Sequence, residues 1–552
     1  MQMTVTTAKI HINVTWFELR EWLLLAALLT AAVGIRFLFL NGVFGSDDLV
    51  YLSRAVQISE GDWASANYSG SLRYGFNIPA GLLIHWFGIN LNAAILWPLL
   101  CSIAEIAAVY LLALSLWGRR AALYAALILL AMPLHVAVAT RIHADSVVSF
   151  FLTLSFVLFY FAEKYRSFAL YFFTGIAMGL VFWSKEGAVV TLLAFFIYPL
   201  IWRKFEPRWA LVIGGGLVML CAHFALMAFV AGDPLHAFKV VMHHLNQSHV
   251  QGANVLDDKA WYFEDDAWYY FKYLLIDIKH VWLSGLIVTA ALCAIFLRRR
   301  PLATAERGVY YVAFWLLSLL VVLSFMPVSL APLKLVMKQP NYLTLLLAPM
   351  ALIAGFQLAR LARGPRLVLL IVTLAGGLLL AGLEQQAWRV FTSNSKAGVA
   401  FAVANPGVQI IGSINNQNMA GVYSILNQDP ALGRQFHLIG EMPHRAQKKE
   451  DHRAPAVAAF AILDGETMDW GNNAVTVRQP PACWEKVRRL SPLGFGPGRQ
   501  MTDMLANVSA WLPASMQERL QSRIETLSEP RAAILYRVEL PDFWCEWGPD
   551  GA

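Results

Sequence analysis

Two adjacent carboxylates, Asp47 and Asp48, stand in the segment Phe44-Gly45-Ser46-Asp47-Asp48-Leu49-Val50-Tyr51, directly after the apolar run 22–40. Charge beside a bilayer is costly and is usually given a partner or a task. Ser46-Asp47 would serve as a helix N-cap. A carboxylate in this place also has the chemistry of a general base: it takes a proton from an acceptor hydroxyl, or stabilises positive charge growing on a sugar carbon. A second short polar turn, Arg141-Ile142-His143-Ala144-Asp145-Ser146, separates two other apolar runs. Asp145 could cap the helix that starts at Ser146, while Arg141 and His143 are candidates to pair with Asp47 or Asp48 and keep one of them ionised. Lys185-Glu186 ends another apolar run. Its lysine suits either snorkelling at the interface or a charge-assisted contact to a lipid phosphate.

A longer polar stretch carries His243, His244, His249, Asp257, Asp258, Asp265 and Asp266 among Trp261, Tyr262, Trp268, Tyr269 and Tyr270. Histidines and carboxylates at this density could bind a divalent metal, but their spacing matches no defined site. An interfacial amphipathic helix with an aromatic belt accounts for 261–273 equally well. Glu105 and His223 fall inside apolar runs, where a mutual contact or a contact to a cavity is open to them.

The elements that must position these residues are membrane helices. Of 552 residues, 58% are hydrophobic and only 14% charged, against about a quarter charged in soluble domains. Runs long enough to cross ~30 Å of hydrocarbon lie near 22–40, 92–116, 121–139, 146–162, 168–183, 188–202, 209–231, 281–297, 309–329, 342–359 and 367–383, which predicts about eleven spans. The run 22–40 lacks a small-residue cleavage site and reads as an anchor rather than a removable signal. Basic residues gather in every second loop: Arg119-Arg120, Lys164 and Arg166, Arg203-Lys204 and Arg208, Arg298 to Arg300 with Arg307, and Arg360, Arg363 and Arg366. By the positive-inside rule these loops and the N-terminus are cytoplasmic. The +7 net charge is therefore an orientation signal and not a nucleic-acid one. The opposite loops, 41–91, 140–145, 184–187, 232–280 and 330–341, hold Asp47, Asp48, Arg73, Arg141, His143, Asp145, Lys185, Glu186, Lys334 and Lys338. Chemistry concentrated on one face suits an enzyme acting there better than an alternating-access transporter, which more often buries charge at mid-span on several helices.

Residues 384–552 are less hydrophobic and read as a small extracytoplasmic α/β domain. Strands are expected at 408–414, 436–439, 459–463 and 533–538, with helices at 419–427 and 516–526. The division is thus a transmembrane domain 1–383, with 41–91 as its first outer loop, and a C-terminal domain 384–552. No catalytic motif is evident in the latter, and a lid or an acceptor-docking surface is its expected role. Cys101, Cys221 and Cys293 lie in apolar runs, whereas Cys483 and Cys545 are candidates for a disulfide in an oxidising compartment.

The order of these features resembles the GT-C glycosyltransferases, in the branch of protein O-mannosyltransferases and aminoarabinose lipid A transferases. The resemblance rests on Asp47-Asp48-Leu49-Val50-Tyr51, Gly61-Asp62-Trp63, Leu72-Arg73-Tyr74 before Pro79-Ala80-Gly81, and Arg141 with Ala144-Asp145-Ser146. It continues through Gly175, Gly179-Leu180 and Ser184-Lys185 to Gly232-Asp233-Pro234-Leu235 and Asn341-Tyr342 with Pro349. It is densest over 40–205, loosens toward 360, and leaves out the C-terminal domain. It implies a GT-C fold and transfer of a sugar from a polyprenyl-phosphate carrier to a lipid, glycan or protein acceptor at the periplasmic or lumenal face, without a required cofactor. The site it implies has Asp47 as base, with Asp48 and Asp145 as further catalytic acids. Arg73, Tyr74, Arg141, His143, Lys185, Glu186, His243, His244, Lys338 and Tyr342 are the candidate substrate contacts. The expected location is a bacterial inner membrane with the C-terminal domain periplasmic. The chain departs from the pattern where relatives carry basic residues: Asn77-Ile78 precede Pro79, Val50 follows the acidic pair, His244-Leu245-Asn246-Gln247 lacks an arginine, and Asn341 precedes Tyr342. The rival classes are a flippase of lipid-linked sugars and a catalytically silent assembly partner.

Overall fold

A membrane helix must satisfy its backbone internally, and each apolar run of the sequence forms helix in the computed structural model. The model describes the chain except for residues 1–18, 64–65, 244–265, 298–302, 304–305, 331–332, 337, 443–456, 470–476, 478, 512, 541–542 and 545–552. The first helices are α1 (Leu19–Leu38), α2 (Asp47–Ser59), α3 (Tyr74–Phe87), α4 (Leu91–Trp117), α5 (Arg119–Ala131), α6 (Pro133–Val138), α7 (Asp145–Tyr165), α8 (Phe168–Ser184), α9 (Leu193–Trp202) and α10 (Ala210–Ala231). Further helices follow at Ser284–Phe296, Gly308–Phe325, Thr344–Arg360 and Arg363–Ala404. Among the described residues seven helices are long and apolar enough to cross a membrane, and three others are shorter and apolar: Phe168–Ser184, Glu186–Trp202 and Ser284–Phe296. The run expected as one span at 121–139 is broken at Met132, because Pro133 cannot donate to the preceding turn and starts α6 afresh.

Close packing of α8 on α10 depends on Gly175 and Gly215. A Cβ on Gly175 would lie 2.0 Å from the Val212 carbonyl oxygen, and one on Gly215 would lie 2.2 Å from that of Phe172. This is how small residues let membrane helices approach without a hydrophobic driving force. A buried polar chain ties other helices together. Arg36 of α1 donates to Ser102 (3.2 Å), to the Leu130 carbonyl (3.1 Å) and toward His135 Nδ1 (2.7 Å). His135 faces Glu105 at 3.3 Å, and Glu105 accepts from Ser149 (2.9 Å) and Thr153 (2.7 Å). Glu105 is thus fully committed within the bundle. His223 makes no contact with it and packs instead between Phe182 and Trp183.

The loops sort by end. At one end, Glu21, Glu163 and Glu306 meet Arg119, Lys204 and Arg360 of the basic loops. At the other, the loops ahead of Asp47 and Asp145 are zipped together: Asn41 donates from its backbone to Thr140 Oγ1 (3.0 Å) and from its side chain to the Ala137 carbonyl (2.8 Å), and Gly42 pairs with Arg141.

Helix Arg363–Ala404 runs without interruption from the last apolar run into the C-terminal unit, so the boundary expected at 384 falls inside a helix. Beyond it, five strands form one sheet: β3 (Gln409–Gly412), β4 (Phe436–Leu438), β5 (Val457–Asp464), β6 (Glu485–Arg489) and β7 (Ala533–Leu540). Their order is β4-β3-β5-β7-β6. A short hairpin, β1 (Pro327–Leu330) with β2 (Leu333–Leu335), lies outside it. The β4-β3-β5 ladders are parallel, and β7 runs antiparallel to β5 and β6. Four strands and both expected helices match the sequence reading, the helices as Ile414–Leu426 and Ala514–Ser528. Strand β6 was not anticipated. It reads Glu-Lys-Val-Arg-Arg, exposed throughout, so no apolar alternation marks it. Cys483 is disulfide-bonded; its expected partner, Cys545, lies outside the described residues.

Candidate active site

Asp47 and Asp145 are each the first residue of a helix, α2 and α7. There the helix dipole favours negative charge. Lys185 follows the last residue of α8, where the dipole favours a cation. Three chain-distant positions are thereby prepared for charge before they meet. The zipped loops bring them together. His143 Nδ1 lies 2.7 Å from Asp145 Oδ2, and its Nε2 lies 3.7 Å from Asp47 Oδ2. Lys185 Nζ donates to Asp145 Oδ1 at 2.7 Å and sits 4.6 Å from the centre of the Tyr342 ring. The result is a continuous series, Asp47, His143, Asp145, Lys185, Tyr342, in which charge alternates. Asp145 and Lys185 are buried, but the Asp47 side chain is 44% exposed. Asp47 is the member that solvent or a substrate can reach.

Arg73 lies alongside. It forks onto both oxygens of Glu186 (2.9 and 2.8 Å) and also donates to the Tyr51 hydroxyl. Tyr51 stacks edge-on to His143 with centroids 5.2 Å apart, so the Arg73–Glu186 pair and the aspartate series form one cluster. Tyr68 donates to Asp47 Oδ1 at 3.1 Å. Burial pushes the Asp47 carboxyl up, but the His143 imidazolium, the charge of Arg73 and the Tyr68 hydroxyl outweigh it and hold the group down at about 2. For His143, burial opposes the charged form, yet Asp145 and Asp47 raise its pKa above the ordinary 6.5.

This shift has a stability consequence. A histidine whose folded-state pKa is raised stabilises the fold fully below its unfolded value of 6.5, and that contribution is lost as pH rises through the folded value. His143→Gln is therefore expected to lower the melting temperature most at about pH 6, with the gap to the parent narrowing above that raised pKa. A gap independent of pH, read by thermal unfolding across a pH series, would contradict the ion pairing.

Several expected contacts are placed elsewhere. Asp48 is buried with both oxygens turned back onto the backbone: they accept from Phe44 N (2.7 Å), Gly45 N (3.2 Å) and Ser46 N (2.6 Å). It shapes the loop that leads to Asp47. Arg141 pairs with neither Asp47 nor Asp48. It meets Glu384 at 2.9 Å and stacks 3.9 Å from the Trp388 ring centre on the long helix, because the Gly42 pairing turns it toward that helix while His143 faces the acids. Tyr74 accepts from Arg54 at 3.1 Å and is outside the cluster. Lys338 is buried, donating to the Leu323 and Ser324 carbonyls beside the Tyr270 ring. His243 ends a helical turn over 236–243 and is exposed; His244 and the acidic stretch to Asp265 lie outside the described residues. Among the described residues no group of three His, Cys, Asp or Glu is arranged to hold a metal.

The C-terminal unit contributes a contact that the sequence did not reveal. Asn415 donates to the carbonyls of Phe44 (2.7 Å) and Gly45 (2.9 Å), two of the three residues whose N–H groups Asp48 holds. Gly45 has φ +82°, and a Cβ there would lie 2.9 Å from the Asn415 carbonyl oxygen, so the approach needs glycine. Asn415 is oriented in turn by Ser395 (2.8 Å), which sits with Asn394, Asn416 and Thr467 around the fully buried Asp464. Tyr51 and Tyr68 were likewise missed as site residues. Aromatic residues are too common in this chain for their types alone to single them out.

Residues 79–228 match the family model described as dolichyl-phosphate-mannose-protein mannosyltransferase. Among solved structures, ArnT from Cupriavidus metallidurans in the apo state is 18% identical with a TM-score of 0.50, over 75% of this chain and 77% of that one. The same protein bound to undecaprenyl phosphate gives 17% and 0.50, over 76% and 78%. An Archaeoglobus fulgidus oligosaccharyltransferase is 13% identical with a TM-score of 0.47, over 75% and 62%. No curated protein matches the sequence. The chain is a multi-pass membrane protein with the GT-C fold. Its fold is similar to that of ArnT, and residues 79–228 are similar to the protein mannosyltransferases.

Proposed function

We propose that this protein is a membrane glycosyltransferase that moves a sugar from a polyprenyl-phosphate carrier to a hydroxyl of a lipid, glycan or protein acceptor, with Asp47 as general base. The observation that carries the reading is the alternating series from Asp47 to Lys185, whose exposure falls from Asp47 through His143 to the buried Asp145 and Lys185. The mannosyltransferase match and the neighbour bound to undecaprenyl phosphate support the donor class. The acceptor oxygen attacks the anomeric carbon as Asp47 takes its proton. The bond from that carbon to the phosphate oxygen breaks, and the carrier phosphate leaves with the electron pair, which inverts the anomeric centre. Charge grows on the phosphate as it departs, and we assign its stabilisation to Arg73 by direct contact and to the charge of Lys185 from its buried position. Arg73 is held by Glu186 and Lys185 by Asp145, so an arriving phosphate competes with Glu186 for the arginine fork. A sugar phosphate is already a good leaving group, so the site needs no nucleotide. The alternation of basic loops supports a site facing away from the cytoplasm with the N-terminus cytoplasmic, and the reading puts it on the periplasmic side of a bacterial inner membrane.

The test is reconstitution of the purified protein with synthetic polyprenyl-phosphate sugars and an extract of cell-envelope acceptors. Free polyprenyl phosphate and a glycosylated product, both read by mass spectrometry, are the expected result. Movement of intact carrier across the bilayer without cleavage would replace this reading by a flippase.

The Asn415 clamp supplies a second check. Asn415→Leu leaves the Phe44 and Gly45 carbonyls without their donor, at about 1–3 kcal/mol for each buried group left unsatisfied, and loosens the segment that aims Asp47. The expected effect is a roughly tenfold or greater fall in kcat with the KM for the carrier little changed, since Arg73 and Lys185 are untouched. A change in KM alone would contradict it.

A further inference from the structure

We propose that the helix Gly498–Ser509, with Trp511 just after it, lies in the lipid interface and rests the C-terminal unit on the membrane at the end of the bundle that carries Asp47. Its level is set by contacts to two apolar helices where they end. Gly498 N donates to Gln385 Oε1 (3.1 Å), and the same glutamine donates to the carbonyls of Leu38 (3.2 Å) and Leu40 (3.0 Å), at the close of α1. A Cβ on Gly498 would lie 2.2 Å from the Gly382 carbonyl oxygen, so the two backbones touch. One turn on, Met501 packs against the cluster of Phe39, Val136 and Ala381, onto which Ile35 and Leu378 also pack. Ile35 and Leu378 belong to the final apolar turns of their helices. The helix therefore begins level with the ends of the spans and does not stand off in solvent.

Its side chains divide as an interfacial helix requires. Gly498, Thr502 and Ser509 are buried on the protein side. Met501, Met504, Leu505, Val508 and Trp511 follow at intervals of three, one, three and three residues, which places them along one stripe. Met504 is 52% exposed, Val508 51% and Trp511 89%. The remaining side carries Arg499, Asp503 and Asn507. Exposed apolar surface continues from the stripe's level onto α1, where Phe37 and Leu38 are about half exposed. Tryptophan prefers this depth, because its ring is apolar and its N–H reaches the headgroups. The occupant that this continuity favours is lipid. The role is distinct from catalysis and does not depend on the transferase reading.

The experiment places a single spin label at 503, 504, 507, 508 or 511 in the full-length chain, with Cys101, Cys221 and Cys293 replaced by alanine, in phosphatidylethanolamine–phosphatidylglycerol vesicles. Collision with oxygen is expected to dominate at 504, 508 and 511, and collision with a water-soluble nickel chelate at 503 and 507. Uniform access of the nickel chelate at all five positions would overturn the proposal. So would exclusion of both reagents at 504, 508 and 511, which would mark a protein partner or a second copy. For the unmodified chain, a phospholipid with a diazirine next to its headgroup is expected to leave adducts within 500–511. Absence of adducts there, while the exposed residues Leu217, Val218 and Phe229 of α10 are labelled, would also overturn it.

Discussion

Asp47→Asn is expected to lower transfer by about 10²–10⁴-fold, the usual contribution of a positioned general base, while leaving the fold nearly as stable as the parent. The two halves of this expectation come from different observations. Activity falls because an amide cannot take the acceptor's proton, and the other carboxylates of the cluster are engaged: Asp145 is enclosed between His143 and Lys185, Asp48 is spent on three backbone N–H groups, and both oxygens of Glu186 are held by Arg73. Stability is spared because Asp47 is the exposed member of the series, with one hydrogen bond at 3.1 Å and one ion-pair contact at 3.7 Å; pairs of this exposure contribute roughly 0–1 kcal/mol. The amide also keeps the size and an acceptor for Tyr68. A carboxylate held down to about 2 is ionised across the working range, so the acid limb of the rate profile should not show an Asp47 titration near pH 4. The checks are product formation by mass spectrometry and the melting temperature of the variant. Transfer at the parent rate by a folded variant would remove Asp47 from the base position.

How much of this was legible in the sequence depended on whether a residue's role is local. Apolar runs announce helices because lipid imposes one solution on the backbone, and the basic loops mark one end because charge is counted without knowing contacts. The alternation of strand and helix after residue 405 was visible for the same reason. The identities of Asp47, Asp145 and Lys185 were legible as charges at helix ends. Their partners were not. Nothing in the sequence near Arg141 says that Gly42 pairs with it and that its guanidinium meets Glu384 and Trp388, so it shares with His143 a candidate pairing that, of the two, only His143 makes. Asp48 read as a second catalytic acid, although a buried carboxylate two to four residues from three backbone donors is more readily a loop staple. Asn415 lies some 370 positions from the backbone it holds, and a single asparagine carries no pattern. The C-terminal unit therefore reads as a lid or an acceptor-docking surface, whereas its visible contact is to the loop that leads to Asp47.

The largest stability effect is expected at Lys185. Lys185→Met leaves Asp145 buried with only His143 as cation. Breaking one side of a buried pair costs about 3–5 kcal/mol, and the retained histidine keeps the loss toward the lower end. The pair itself is a weaker argument for stability than this number suggests, because desolvating both charges offsets most of their attraction. The double variant Lys185→Met with Asp145→Asn removes both charges, and it is expected to recover much of the stability lost by the single change. Activity should separate from stability at this point. If Lys185 serves the departing phosphate, the double variant stays as inactive as the single one although it is again well folded. If the lysine only balances Asp145, activity returns with stability. Thermal unfolding and transfer assays on the two variants distinguish these outcomes. Lys185→Arg sharpens the comparison: it keeps the charge but presents a planar fork where the Tyr342 ring and Asp145 fit a compact ammonium. It is expected to retain part of the stability and only a small fraction of the rate.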